Sequence, residues 1–133
     1  MKLLHESYFQ AIYYAEESSL LMMRWKPTTS EMTEEKHLVE LHTLFMYARR
    51  IKPDRFLLDA REKYHYISAD GQLFFSNLFK DHSASYLAIV TKENPEIEDE
   101  FKKLFMHFEE VASHSFTIRY YKDYEAALAW ILA

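Results

Sequence analysis

Residues 53–71 read PDRFLLDAREKYHYISADG, and this stretch decides the fold. Its apolar run Phe56–Leu58 is short and unbroken, which is typical of a strand buried on both faces of a parallel sheet. A polar loop follows the run, and Ser68 is a good N-cap for a helix that has Asp70 in its first turn. Ligands and partners of open α/β sheets meet the loops at the carboxyl ends of the strands, so function is expected here first.

The rest of the chain alternates between strand and helix patterns. Strands are predicted over residues 8–15, 20–25, 55–60, 86–90 and 116–121. Helices are predicted to begin at Thr28 or Ser30, at Ser68, at Asn94 and at Asp123. The pattern therefore predicts an α/β fold with a mixed, mostly parallel sheet, an N-terminal antiparallel hairpin and four helices. We expect residues 1–133 to form a single domain.

Helical spacing indicates which side chains face the core. In the first predicted helix, which Pro53 ends, they are Leu38, Leu41, Phe45 and Ala48. In the helix that begins at Ser68 they are Leu73, Phe74, Leu78 and Phe79. In the helix that begins at Asn94 they are Ile97, Phe101, Leu104, Phe105, Phe108 and Val111.

Composition argues against several classes of function. The net charge is −5, and the basic residues are scattered apart from Arg49–Lys52, where cations suit a helix end, so no nucleic-acid partner is expected. Without cysteine the chain has no disulfide, thiolate metal site or cysteine nucleophile. Its seven histidines include no H-x-x-x-H pair, and its single glycine argues against Gly-rich phosphate loops. We therefore expect no metal and no cofactor.

Hydropathy predicts a cytoplasmic protein without a membrane span. The start, Met1–Glu6, lacks the apolar region of a signal peptide, and no stretch reaches the roughly 18 apolar residues of a membrane helix. Aromatic residues make up 17% of the chain, which is more than one small core readily buries. We therefore also predict a homodimer.

The order of elements, the length and the last stretch, Tyr121–Ile131, resemble the STAS fold. The likeness is to small bacterial STAS-like proteins related to anti-sigma-factor antagonists. Such antagonists bind an anti-sigma kinase and are switched by phosphorylation of a serine in an Asp-Ser-Ser-Gly type motif after the central strand. The matching residues here are Ser68, Ala69, Asp70 and Gly71, with Asp70 in the position of the phosphorylated serine. The resemblance implies a regulatory domain with an anti-sigma-type protein partner.

Polar residues that could form an acid/base or anion site follow the central strand. They are Asp59, Arg61, His65, Ser68 and Asp70. The alternative is a solvated loop in which Ser68 and Asp70 serve only the helix end. Phe74 and Phe75 point about 100° apart on a helix, so both are buried only if a second chain or an apolar ligand covers it. The candidate partner or ligand surface comprises Asp59, Arg61, His65, Ser68, Asp70, Gly71, Phe74 and Phe75.

Three functions are compatible with these residues. The first is a non-enzymatic STAS-like regulatory or interaction domain that acts by protein–protein contact around the helix beginning at Ser68. The second is a carrier or sensor of a small, lipid-like apolar ligand held between helices by Phe74, Phe75, Phe105 and Phe108. The third is a hydrolytic enzyme that uses Asp59, His65 and Ser68.

Overall fold

The computed structural model shows one six-stranded sheet in which the strands lie in the order of the chain. It describes residues 1–63, 69–73, 83–92, 96, 98–100, 102–103, 106 and 116–133. The strands are β1 (Lys2–Glu6), β2 (Gln10–Ala15), β3 (Leu20–Trp25), β4 (Arg55–Asp59), β5 (Tyr86–Val90) and β6 (Thr117–Tyr121).

The sheet is mixed, as predicted. Strands β1, β2 and β3 pair antiparallel, and β3, β4, β5 and β6 pair parallel. Among the described residues, α-helical ones occur in four segments: α1 (Glu34–Ile51), within 69–73, within 96–106, and the C-terminal helix (Tyr124–Leu132). The α/β class, the N-terminal antiparallel hairpin and the four helices are therefore confirmed. Among the described residues, no helix is both long enough and apolar enough to cross a membrane.

The first strand, β1, is missing from the sequence prediction, which counted five strands. It pairs only with β2 among the described residues, and its ladder is interrupted between Leu3 and His5. Leu3 is 48% exposed. An edge strand of this kind buries little on either face, so the alternation of polar and apolar residues that reveals a strand is weak.

Helix α1 begins later than predicted, and neither Thr28 nor Ser30 caps it. Residues Pro27–Glu31 form a short 3₁₀ helix, and the Thr28 hydroxyl donates to the Tyr8 carbonyl. The N-cap is Thr33, whose side-chain oxygen accepts from the Lys36 backbone N–H at 3.2 Å. The helix ends at Ile51, one residue before a left-handed Lys52, which agrees with the predicted stop at Pro53.

Each face of the sheet packs against a helix. On one face α1 buries Leu41, Leu44 and Phe45, which confirms two predicted core positions, whereas Leu38 and Ala48 are half-buried. On the other face, the C-terminal helix buries Ala127 and Ile131 in a cluster with apolar residues of β3, β4 and β5. Strands β4 and β5 are buried on both faces, as expected for the centre of a parallel sheet.

Candidate functional site

The candidate site lies at the carboxyl edge of the parallel strands. Asp59 is the last residue of β4 and lies opposite Arg24 of β3 in the parallel register. Arg61 follows two residues after Asp59, in the turn that leaves the strand. Because the parallel register brings the ends of β3 and β4 together, Arg24 and Arg61 both reach the same carboxylate.

Asp59 accepts four hydrogen bonds from these two arginines. Arg24 Nε donates to Oδ2 at 2.9 Å, and Arg61 Nη2 donates to the same oxygen at 2.7 Å. Arg61 Nε and the Arg61 backbone N–H donate to Oδ1 at 2.9 and 3.2 Å. Asp59 is only 1% exposed, so these charge-assisted bonds replace the water that the carboxylate loses on folding.

Tyr124, at the start of the C-terminal helix, contacts both guanidinium groups with its ring. The centroid of its ring lies 5.0 Å from Arg24 Cζ and 5.1 Å from Arg61 Cζ, within the range of cation–π attraction. Its hydroxyl donates to Met22 Sδ at 3.2 Å. Asp123 caps the helix, as predicted, by accepting from the Ala126 N–H at 3.2 Å, which fixes the first turn.

The arginines keep Asp59 ionised. Burial by itself would raise the pKa of this carboxyl, but the hydrogen bonds from Arg61 and Arg24 outweigh burial and hold its pKa below the ordinary value. The hydrogen bond to Asp59 in turn raises the pKa of Arg61. A carboxylate with four donors and a lowered pKa is a weak proton acceptor. The arrangement therefore favours binding over general-base chemistry at Asp59.

A buried lysine lies beside this cluster in the chain. Lys63 is 4% exposed, and its Nζ lies 4.0 Å from Glu100 Oε1 and 6.0 Å from the centroid of the Trp25 ring. Burial lowers the pKa of Lys63 to about 8, although the negative charge of Glu100 opposes the shift. The Thr29 hydroxyl, in the 3₁₀ helix, donates to the Glu62 carbonyl at 2.9 Å and so anchors the same turn.

The structure brings together two of the predicted site residues, Asp59 and Arg61. Asp70 is exposed and Gly71 is buried, both in the helical segment 69–73. Four further members of the predicted surface lie outside the described residues: His65, Ser68, Phe74 and Phe75. The predicted apolar stripe of the helix that begins at Asn94 also lies outside the described residues. In that helix the structure describes residues 96, 98–100, 102–103 and 106.

Leu73 was predicted to face the core, and this prediction is wrong. Its side chain is 64% exposed, whereas Gly71 in the same turn is buried. The segment 69–73 therefore turns its glycine toward the protein and its leucine away from it. Helical spacing gives the relative angle between residues but not the absolute rotation of the helix, and the assumed rotation was incorrect.

Sequence reasoning missed Arg24 and Tyr124. Arg24 is the only charged residue of β3, which otherwise reads LLMM-W, and its place near the end of a parallel strand was a usable signal. Tyr124 follows a recognised cap, but its contact with arginines 63 and 100 residues earlier has no local signature.

Comparison with known proteins identifies no family. The chain matches no protein-family model, and comparison with curated proteins and with solved structures gives no match. The resemblance to STAS-like proteins therefore stays a prediction. The described residues contain no group of three or more metal-ligating side chains.

Proposed function

We propose that this chain is a non-enzymatic, STAS-like regulatory domain that acts by binding a protein partner. The proposed surface comprises the carboxyl edge of the parallel strands and the helical segment 69–73. The observation that carries the proposal is the state of Asp59, whose two oxygens are both occupied by arginine donors. The site is built to hold charge in place, which suits recognition better than proton transfer.

Exposed apolar side chains on the helices that follow β4 and β5 support a contact surface. Leu73 is 64% exposed and Met106 is 65% exposed. Single exposed apolar residues are common, so exposure alone decides little. Leu73 carries more weight because it lies in the helical segment that also exposes Asp70, two residues after the stretch 68–71 that resembles the regulatory motif.

Asp70 gives this surface a fixed negative charge. In the resemblance it stands where antagonists carry a phosphorylated serine, and an aspartate has about one negative charge where phosphoserine has about two. We propose an anti-sigma-type regulator as the partner, bound in a way that requires no phosphorylation. The proposed homodimer is a separate property of the chain.

The two other sequence-based functions gain no support from the described residues. The apolar-ligand carrier depends on Phe74, Phe75, Phe105 and Phe108, and the hydrolase depends on His65 and Ser68. All six lie outside the described residues. The third member of the hydrolase set, Asp59, is held by Arg24 and Arg61 as a weak base.

Affinity enrichment from the native cell with paired surface variants tests the proposal. Leu73→Asp places a charge on the proposed surface, and Val39→Asp is the matched control because Val39 is 60% exposed on α1. We expect to find a protein that the wild type and Val39→Asp enrich equally. The amount recovered with Leu73→Asp should be at least tenfold lower. The purified protein must then bind directly in calorimetry with the same order of affinities.

Two results would overturn the proposed function. One is the absence of any enriched protein that binds directly once purified. The other is a direct partner that binds Leu73→Asp as tightly as it binds the wild type. Circular dichroism of both variants establishes that they are folded, since an exposed substitution is expected to change stability by only about 0.5 kcal/mol.

A further inference from the structure

The arginines around Asp59 carry more charge and more donors than this carboxylate uses. Two guanidinium groups surround one carboxylate, so the cluster has a net charge of one positive unit. Arg24 donates to Asp59 through Nε alone, and its two Nη groups have no hydrogen bond within the described part of the chain. Arg61 donates through Nε and Nη2, which leaves Nη1 without an acceptor among the same residues.

The side chains that carry the unused donors are partly exposed and already oriented. The Arg24 side chain is 38% exposed and that of Arg61 is 36% exposed, although the carboxylate between them is buried. Asp59 fixes the direction of each guanidinium, and the Tyr124 ring lies against both. A ligand that binds these groups therefore loses little additional side-chain entropy, which is the main cost when a flexible arginine binds on its own.

Whether this positive unit is available depends on the acidic neighbours of the cluster. The nearest acidic neighbour along the chain, Glu62, contributes to the pKa of Arg61, but its carboxylate also lies 3.6 Å from Lys92 Nζ. A further monoanion would neutralise the cluster. Carboxylates match the planar fork of arginine and form paired hydrogen bonds with it.

We propose that Arg24 and Arg61 form an oxyanion clamp that binds a carboxylate side chain in an acidic segment of the partner protein. Asp59 and Tyr124 are positioning residues, because they orient the two guanidinium groups and leave their outer donors available. The protein source of the carboxylate rests on the function proposed above, whereas the oxyanion site rests on the geometry of the four residues. Inorganic phosphate is the competing ligand in the test.

Nuclear magnetic resonance titration of the full chain tests the clamp directly. The probe is a capped glutamate-glycine peptide with three glutamates, added at constant ionic strength, and the observed signals are the side-chain Nε–Hε groups of the arginines. We expect saturable shifts at Arg24 and Arg61 and none at Arg50, which is exposed at the end of α1. The same peptide with glutamine in place of glutamate should cause no shift.

Variants separate the clamp from general electrostatic attraction. Arg61→Gln and Arg50→Gln change the net charge equally, and Arg24→Lys retains the charge but loses the fork. We expect at least a tenfold loss of peptide affinity in Arg61→Gln and Arg24→Lys, and less than a twofold change in Arg50→Gln. Equal losses in both glutamine variants, or no saturable shift in the wild type, would refute the clamp. Tighter binding of inorganic phosphate than of the peptide would refute the carboxylate assignment.

The partner found by enrichment distinguishes failure of the clamp from failure of the proposed function. If that partner binds Arg24→Lys and Arg61→Gln as tightly as the wild type but binds Leu73→Asp at least tenfold more weakly, the clamp is refuted and the proposed function is retained. If the peptide binds at the clamp but no direct partner exists, the oxyanion site stands and the proposed function is wrong.

Discussion

Replacing Asp59 with asparagine should destabilise the fold, because an amide group cannot accept all four hydrogen bonds that the carboxylate accepts. Each carboxylate oxygen accepts two bonds, Oδ1 from the Arg61 backbone N–H and Nε, and Oδ2 from Arg24 Nε and Arg61 Nη2. Whichever way the asparagine side chain turns, its NH₂ group faces two donors. Removing one partner of a buried ion pair costs about 3–5 kcal/mol. Since both arginine side chains are more than a third exposed and regain water, we expect about 2–3 kcal/mol here.

Urea unfolding at pH 7 measures this loss, with Asp54→Asn as the control. Asp54 is exposed just before β4, and the same substitution there should change the free energy of unfolding by less than about 0.5 kcal/mol. The difference between wild type and Asp59→Asn must also depend on pH. Because the folded pKa of Asp59 is lowered, its contribution is present above the unfolded value of about 3.9 and is lost as the pH falls through the folded value.

Two outcomes would refute this reasoning about Asp59. A loss below about 1 kcal/mol at pH 7 would mean that the arginines do not depend on the carboxylate. A loss that stays constant from pH 7 to pH 3 would mean that its ionisation is not coupled to folding. A double-mutant cycle with Arg24→Ala and Arg61→Ala then measures how the coupling divides between the two arginines.

Three further predictions concern other parts of the fold. Lys63→Met should stabilise the protein at pH 7 by less than about 3 kcal/mol, because the folded pKa of Lys63 is about 8 against an ordinary 10.5, so burial penalises the charged form more than its ion pair with Glu100 stabilises it. Between pH 8 and 10.5 the folded state binds fewer protons at Lys63 than the unfolded state, so wild-type stability rises with pH. The extra stability of Lys63→Met must therefore shrink over this range. If it is unchanged in urea unfolding at pH 10, the lowered pKa of Lys63 is wrong. Thr33→Ala should cost about 0.5–2 kcal/mol and Ser30→Ala less than about 0.5 kcal/mol, since Thr33 is the cap of α1; the reverse order in thermal melts would restore the earlier helix start. Light scattering should give the mass of a homodimer, and a monomer up to millimolar concentration would exclude it.

The elements that the sequence predicts best are those whose signal is local. The bounds of β3 and β5 agree with their predicted ranges, because each is an apolar run between polar breaks. The cap at Asp123 also acts within its own turn. The start of α1 could not be placed in the same way, because Pro27 begins a separate 3₁₀ helix and Thr33, rather than an earlier residue, accepts the capping bond.

Only two of the four residues of the site, Asp59 and Arg61, could be predicted from the sequence, for a related reason. Asp59 and Arg61 are two residues apart and follow a recognisable strand, so their proximity is encoded locally. Arg24 is 35 residues before Asp59, and only the parallel pairing of β3 with β4 brings them together. Tyr124 joins them from the C-terminal helix, which packs on the face of the sheet opposite to α1, and no pattern in one sequence reveals such a contact.

The order of strands has a consequence for how the chain assembles. Each strand lies beside its neighbour in sequence, so a growing chain can add strands one at a time, and pairing never has to wait for a distant segment. The contacts of the C-terminal helix are different, since those of Tyr124 with Met22 and Arg24 span 102 and 100 residues. During synthesis the sheet can therefore form while Arg24 and Arg61 still lack their aromatic support. The Tyr124 ring joins Asp59 in holding the two guanidinium groups only when its helix docks, so we expect the affinity of the proposed clamp for an acidic peptide to rise after the sheet has formed.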